Sequence, residues 1–156
     1  MKTTEYLAQN IRMNTVMLAY NYDKTLEDKR EWQPKTDDSS KTRSAKEQME
    51  EVVSTLESTI QALRTRRGAN TETTKQEGDS LTEQVRKLGD ELAEEVAKMS
   101  DEDLGASLRG PGGHEQPAIR AVTMVTANVV YHLGQVAFIQ TLYGDTEFHV
   151  PPEMLS

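Results

Sequence analysis

A chain of 156 residues can bury a real apolar core as one domain and needs no covalent staple. It has no cysteine, which excludes disulfides, thiolate zinc sites and cysteine nucleophiles. A net charge of −8 argues against a nucleic-acid binder. The first residues, Met1 to Glu5, lack the apolar segment of a signal peptide, so a cytoplasmic location is expected.

The first helix is predicted from about Thr4 to Asp28, with Leu7, Ile11, Val16, Met17 and Tyr20 on its apolar stripe. Glu31 to Arg43 is polar, contains Trp32, Pro34 and the run Asp37 to Ser40, and reads as a loop. The second helix starts near Ser44, which forms a capping box with Glu47, and repeats Ala45, Met49, Val52, Leu56, Ile60 and Leu63. Arg64, Arg66 and Arg67 sit at its end, where cations complement the helix dipole, and Gly68 and Asn70 mark the stop. Thr71 to Gly78 reads as loop or frayed helix.

A second capping box, Ser80 with Glu83, opens the third helix. Its stripe of Leu81, Val85, Leu88, Leu92, Val96 and Met99 is the cleanest in the chain, with Gly89 as an internal cost of about 1 kcal/mol. Ser100 to Leu104 caps a short helical turn, and Gly110, Pro111, Gly112 and Gly113 form the strongest break. The fourth helix runs from near Pro117 to the C-terminal cap Gly144, with an extended tail after it. The acid pairs Glu50-Glu51 and Glu94-Glu95 read as solvated faces. Met13, Met17, Met49, Met99 and Met124 fit core stripes, which ranks an adaptable methionine-rich partner surface last. No segment alternates in the manner of a strand, so no sheet is predicted. The fold class is all-α: a single domain over residues 1–156, forming an antiparallel four-helix bundle.

From Pro117 to Tyr143 the one formal charge is Arg120. Such a helix is long enough to cross a membrane. The polar residues Thr123, Thr126, Asn128, His132, Gln135 and Gln140 argue instead for burial inside the bundle, with no membrane contact. Asn128, His132 and Gln135 share one face. Burial costs free energy unless each finds a partner, so the triplet bonds across the bundle, holds water, binds a metal or lines a pocket. The bland alternative, a satisfied core network that sets helix register, stays open beside these.

The segment Asn128-Val129-Val130-Tyr131-His132-Leu133-Gly134-Gln135-Val136, with Leu142-Tyr143-Gly144-Asp145 after it, resembles the last-helix signature of the DinB/YfiT-like superfamily. Trp32-Gln33-Pro34 is similar to that family's Trp-x-Pro loop, and Ser44-Ala45-Lys46-Glu47 to the start of its second helix. The resemblance implies a four-helix bundle, often dimeric, with a divalent metal (zinc, nickel or manganese) held by three histidines near one end. It also implies thiol-dependent transferase or hydrolase chemistry in some members. His132 matches one of the three histidines. Asn128 stands where a second would fall, and Glu51, or Val52 if the register slips by one, where the third would, so Glu51, Asn128 and His132 are the candidate metal ligands, and Gln135 and Tyr131 the candidate pocket residues. His114 reads as a solvated loop residue and His149 as a tail or dimer contact. The expected function is a non-catalytic or small-ligand-binding module with a degenerate metal site. The alternative is a divalent-metal-dependent enzyme, and a homodimer is compatible with either. No phosphate-cradling loop or serine-nucleophile motif is present.

Overall fold

The computed structural model describes residues 1–35, 42–109 and 113–155. The Asp37 to Ser40 run and Gly110, Pro111 and Gly112, read above as loop and break, lie outside the described residues. Four long helices carry the fold: α1 (Thr3–Lys24), α2 (Ala45–Arg66), α3 (Leu81–Ala97) and α5 (Ala118–Leu142), with the single turn α4 (Asp101–Gly105) between the last two. Ser44 and Ser80 each accept a bond from the backbone N–H three residues on, while Glu47 and Glu83 bond back to the cap N–H, so both capping boxes form. Ser100 and Asp103 build a third at the start of α4.

Each of α1 and α2 packs against both α3 and α5. The direction of each helix follows from which residues meet. Asp23 near the end of α1 accepts from Thr82 at the start of α3, so α1 and α3 are antiparallel. Gln48 at the start of α2 meets His132 in the second half of α5, so these are antiparallel too. Arg64 at the end of α2 pairs with Glu91 and Glu95 at the end of α3, at 2.7 and 3.1 Å, so α2 and α3 are parallel. Gln140 at the end of α5 donates to the Asn21 carbonyl at the end of α1, so α1 and α5 are parallel as well. The expectation that neighbours are all antiparallel does not hold. Parallel neighbours need a connection as long as a helix, and residues 67–80 provide it.

That polar stretch is a strap along the α2–α3 seam. Thr74 donates from its backbone N and its Oγ1 to Glu91 Oε2 at 2.8 and 2.7 Å. Lys75 Nζ lies 2.8 Å from Glu57, and Lys87 Nζ 2.7 Å from Asp79. The arginines therefore do more than answer a helix dipole. Arg64 and Arg67 hold the buried Glu91 and Glu95, and Arg66 holds Asp103 at 3.1 Å. Glu95 is accordingly not part of a solvated face; its charge is buried because two guanidiniums meet it.

Three further expectations are corrected. A two-stranded antiparallel ladder, β1 (Ser107–Arg109) with β2 (Glu115–Pro117), buries Leu108 beside the start of α5. Strands of three residues are too short for alternation to be read from sequence. The core face of α1 is Thr4, Ala8, Ile11, Thr15, Leu18, Ala19 and Tyr22, displaced from the stripe of larger apolar residues. Threonine is admitted there because Thr15 Oγ1 donates to the Ile11 carbonyl at 2.9 Å, which satisfies its hydroxyl within the helix. Finally, α5 buries one face only, and Met124 is 58% exposed, as Met13 is 48% exposed on α1.

Gly89 explains how α1 and α3 approach so closely: a Cβ there would stand 2.3 Å from Thr15 Oγ1 and 2.7 Å from Thr15 Cβ. Gly to Ala inside a helix ordinarily adds about 1 kcal/mol of stability. Here G89A is expected to destabilise by about 1–3 kcal/mol through overpacking. Denaturant unfolding measures this, and a stabilised variant would contradict the packing described.

Candidate functional site

The end of α1, the start of α2 and the second half of α5 converge at one end of the molecule. The Trp-Gln-Pro loop closes this end. Trp32 meets Tyr143 edge-on, with ring centroids 6.5 Å apart, and Gln33 donates to the capping Glu47 at 2.9 Å. Gln140 Nε2 donates to the Asn21 carbonyl at 2.7 Å and to Thr25 Oγ1 at 3.2 Å, so α5 supplies a donor to the last turn of α1.

Between α2, α5 and this loop lies a cleft of about 660 Å³. Pro34, Lys35, Thr42 and Arg43 line it from the loop, Gln48 and Glu51 from α2, and Tyr131, Gln135, Phe138, Ile139 and Leu142 from α5. Tyr131, Gln135 and Glu51 thus meet at one cavity. His132 lies directly behind its wall, 1% exposed. Asn128 does not join them. It borders a separate cavity of about 210 Å³ with Thr55, Thr59 and Met124, one turn farther along α5.

His132 Nδ1 lies 2.5 Å from Gln48 Oε1. With the Gln48 amide oxygen turned to the ring, Nδ1 carries the proton and Nε2 the lone pair; with the amide turned over, its N–H donates to Nδ1 and Nε2 carries the proton toward Glu51. Among the described residues Nε2 has no hydrogen-bond partner, and it faces Glu51 Oε1 at 3.4 Å. Burial pushes the His132 pKa down, and the nearby Arg43 guanidinium lowers it further. The ring is therefore neutral near pH 7, and its Nε2 faces the Glu51 carboxylate. The other oxygen of Glu51 is ion-paired with Arg43.

This geometry tests the metal reading. Two ligand atoms on a tetrahedral ion at about 2.0–2.1 Å are about 3.4 Å apart, so His132 and Glu51 match one edge of such a site. The set goes no further. Among the described residues, no three His, Cys, Asp or Glu side chains gather where an ion could sit. Asn128 offers a neutral amide oxygen, buried without a partner among the described residues, at a different cavity. Arg43 already brings positive charge to Glu51. The residues present do not fit a three-ligand catalytic metal.

The other two histidines stand apart. His114 is exposed beside the ladder. His149 Nε2 pairs with Asp145 at 2.8 Å, and its carbonyl accepts from Asn21 Nδ2 at 2.9 Å, which fixes the tail against α1. Gln48 and Arg43 line the candidate site, and sequence reasoning missed both. Gln48 interrupts the apolar stripe of α2 one turn from Glu51, and that interruption was the available signal.

The comparisons with known proteins agree with this architecture. A DinB-like protein of Bacillus subtilis, YjoA, superposes with a TM-score of 0.70 at 10% sequence identity, over 93% of this chain and 96% of that one. At that identity the likeness concerns the fold, which is DinB-like and mainly helical. The model of a family of unknown function, DUF3150, matches residues 2–140, and the chain belongs to that family. A search of curated proteins gives no match.

The lowered pKa of His132 has a signed consequence. The unfolded chain takes up a proton as pH falls through the ordinary histidine value of 6.5, before the folded chain does. Stability present above that value is lost as pH falls toward the folded-state pKa. Wild-type protein should therefore lose more stability than H132Q on acidification from about pH 7.5 to about pH 5 in parallel denaturant titrations, because only the wild type has this histidine to protonate. Equal losses would contradict the neutral ring.

Proposed function

We propose that the protein is a non-catalytic binding module, a DinB-like four-helix bundle with two parallel and two antiparallel neighbouring pairs. Its cleft receives a small amphipathic organic ligand bearing an anionic group. The observation that carries this reading is the lining of the cleft. Among the described residues that line it, Lys35 and Arg43 are the cations and Glu51 the carboxylate, on a chain whose net charge is −8. Tyr131, Phe138, Ile139 and Leu142 provide an apolar wall opposite, and Gln48 and Gln135 supply amides. An apolar concavity with a few convergent polar groups is the usual form of a small-molecule site. Its volume suits a compact ligand.

In this reading His132 is a positioning residue. Its bond to Gln48 fixes one wall of the cleft, and its neutral state avoids burying a cation beside the exposed Arg43 guanidinium. A metal-dependent transferase or hydrolase is the less favoured reading, because only the His132–Glu51 edge supports it.

A fluorescent amphipathic anion, anilinonaphthalene sulfonate, is a direct probe. It should bind the folded protein saturably at one site per chain. The double variant Lys35→Gln, Arg43→Gln should weaken binding by about tenfold, as expected for losing about 1.4 kcal/mol of charge-assisted contact. Non-saturable binding, or full affinity in the double variant, would overturn the reading.

A further inference from the structure

The smaller cavity, of about 210 Å³, lies on the α2–α5 seam beside the ladder. Three elements line it: α2 through Thr55 and Thr59, the ladder through Leu108, and α5 through Met124, Val125 and Asn128. It shares no described lining residue with the cleft, although Thr55 follows Glu51 by one helical turn and Asn128 precedes His132 by one. Arg109 and Gly113, which bound residues 110–112, line a different hollow.

One corner of this cavity is polar. Asn128 Oδ1 is buried and has no hydrogen-bond partner among the described residues. A buried polar atom in that state is costly, so it calls for a partner. Thr55 and Thr59 do not supply one. Their hydroxyls donate to the carbonyls of Glu51 and Thr55 at 2.9 and 2.8 Å, so what they add to the cavity is lone pairs and methyl groups. Away from Asn128 the wall is largely apolar. Leu108 and Val125 are each 2% exposed, and Ala62 and Ala121 complete it. Water suits the polar corner alone. A water takes up about 30 Å³ of the liquid, so the cavity is several waters large, and those against Leu108, Val125 and the alanines find no polar partner.

We propose that this cavity is a second ligand site, and that it takes a small neutral phenol: one aromatic ring whose hydroxyl bonds Asn128. Size, charge and polarity each select that class. A dry cavity of about 150 Å³ holds benzene, so this one admits a single substituted ring. Among the described lining residues there is no charged side chain, and an unpaired charge is expensive to bury, which disfavours the anion assigned to the cleft. A hydroxyl both donates and accepts, so it satisfies Asn128 whichever way the amide is turned. Met124 selects an aromatic body over an aliphatic one. It lines the cavity while 58% exposed, so it stands at the rim, where a flexible thioether packs well on the edge of a ring. That gives a reason for an exposed methionine at a position read from the sequence as core. The inference does not depend on what the cleft binds.

The test adds phenol to the full chain and follows the Met124 methyl resonance in protein labelled at its methionine methyls. Phenol should shift that resonance saturably in the millimolar range, at one molecule per chain, and leave the buried Met49 unmoved. Toluene, with a methyl group in place of the hydroxyl, is the control. Asn128→Leu keeps the shape of the side chain and removes its amide. It should weaken phenol by about tenfold and toluene not at all. Ala121→Leu fills the cavity from α5 and should abolish binding of both. Saturating phenol should leave the binding of anilinonaphthalene sulfonate unchanged. The proposal is overturned by the absence of a saturable Met124 shift, by full phenol affinity in either variant, or by equal losses of phenol and toluene in Asn128→Leu. Displacement of the dye by phenol would overturn it too, by placing phenol in the cleft.

Discussion

Two buried polar contacts fix α5, and most of what this molecule presents to its surroundings follows from them. Gln140 donates into the last turn of α1, and His132 bonds Gln48 at the first turn of α2. A buried polar group left unpaired costs about 1–3 kcal/mol, so neither contact tolerates a slip of register. With α5 held at both places, one face is committed to the core. Tyr131, Phe138 and Leu142 are turned outward, and the cleft opens between α5 and the loop that carries Lys35 and Arg43. Apolar stripes alone could slide by a turn; these two bonds cannot.

The charge at the site is equally constrained. The edge between His132 Nε2 and Glu51 Oε1 has the length of a tetrahedral metal site. Arg43 reaches Glu51 from the cleft side and brings a permanent positive charge to the carboxylate. In this account the guanidinium does electrostatically what a cation would do there, without a requirement for three ligands. It also explains why His132 can be buried and neutral beside an acid: the acid is already paired.

Legibility in the sequence followed the range of the interactions. Capping boxes are local, and Ser44 with Glu47 and Ser80 with Glu83 stood where they were read. The stripe of α3 was legible because one side faces water and the other does not. The face of α1 was less so, since Thr4, Ala8 and Thr15 face the core and larger side chains lie beside them. Glu95 and the strap over residues 67–80 could not be read, because their partners are brought together by the parallel packing of α2 and α3. At the site, Glu51, Tyr131 and Gln135 line one cleft with His132 behind its wall, Glu51 at the position that the family resemblance implied. Asn128 faced a different cavity, because four residues along a helix move a side chain by about 6 Å. Gln48 and Arg43 escaped notice because their roles depend on the third dimension.

The central claim is that the His132–Glu51 edge is not completed as a metal site and that Arg43 supplies its positive charge. Calorimetric titration of chelator-treated protein with zinc tests it most directly, run on wild type and on His132→Gln. The account predicts weak binding that the substitution leaves unchanged. One tightly bound zinc per chain, lost in His132→Gln, would contradict it.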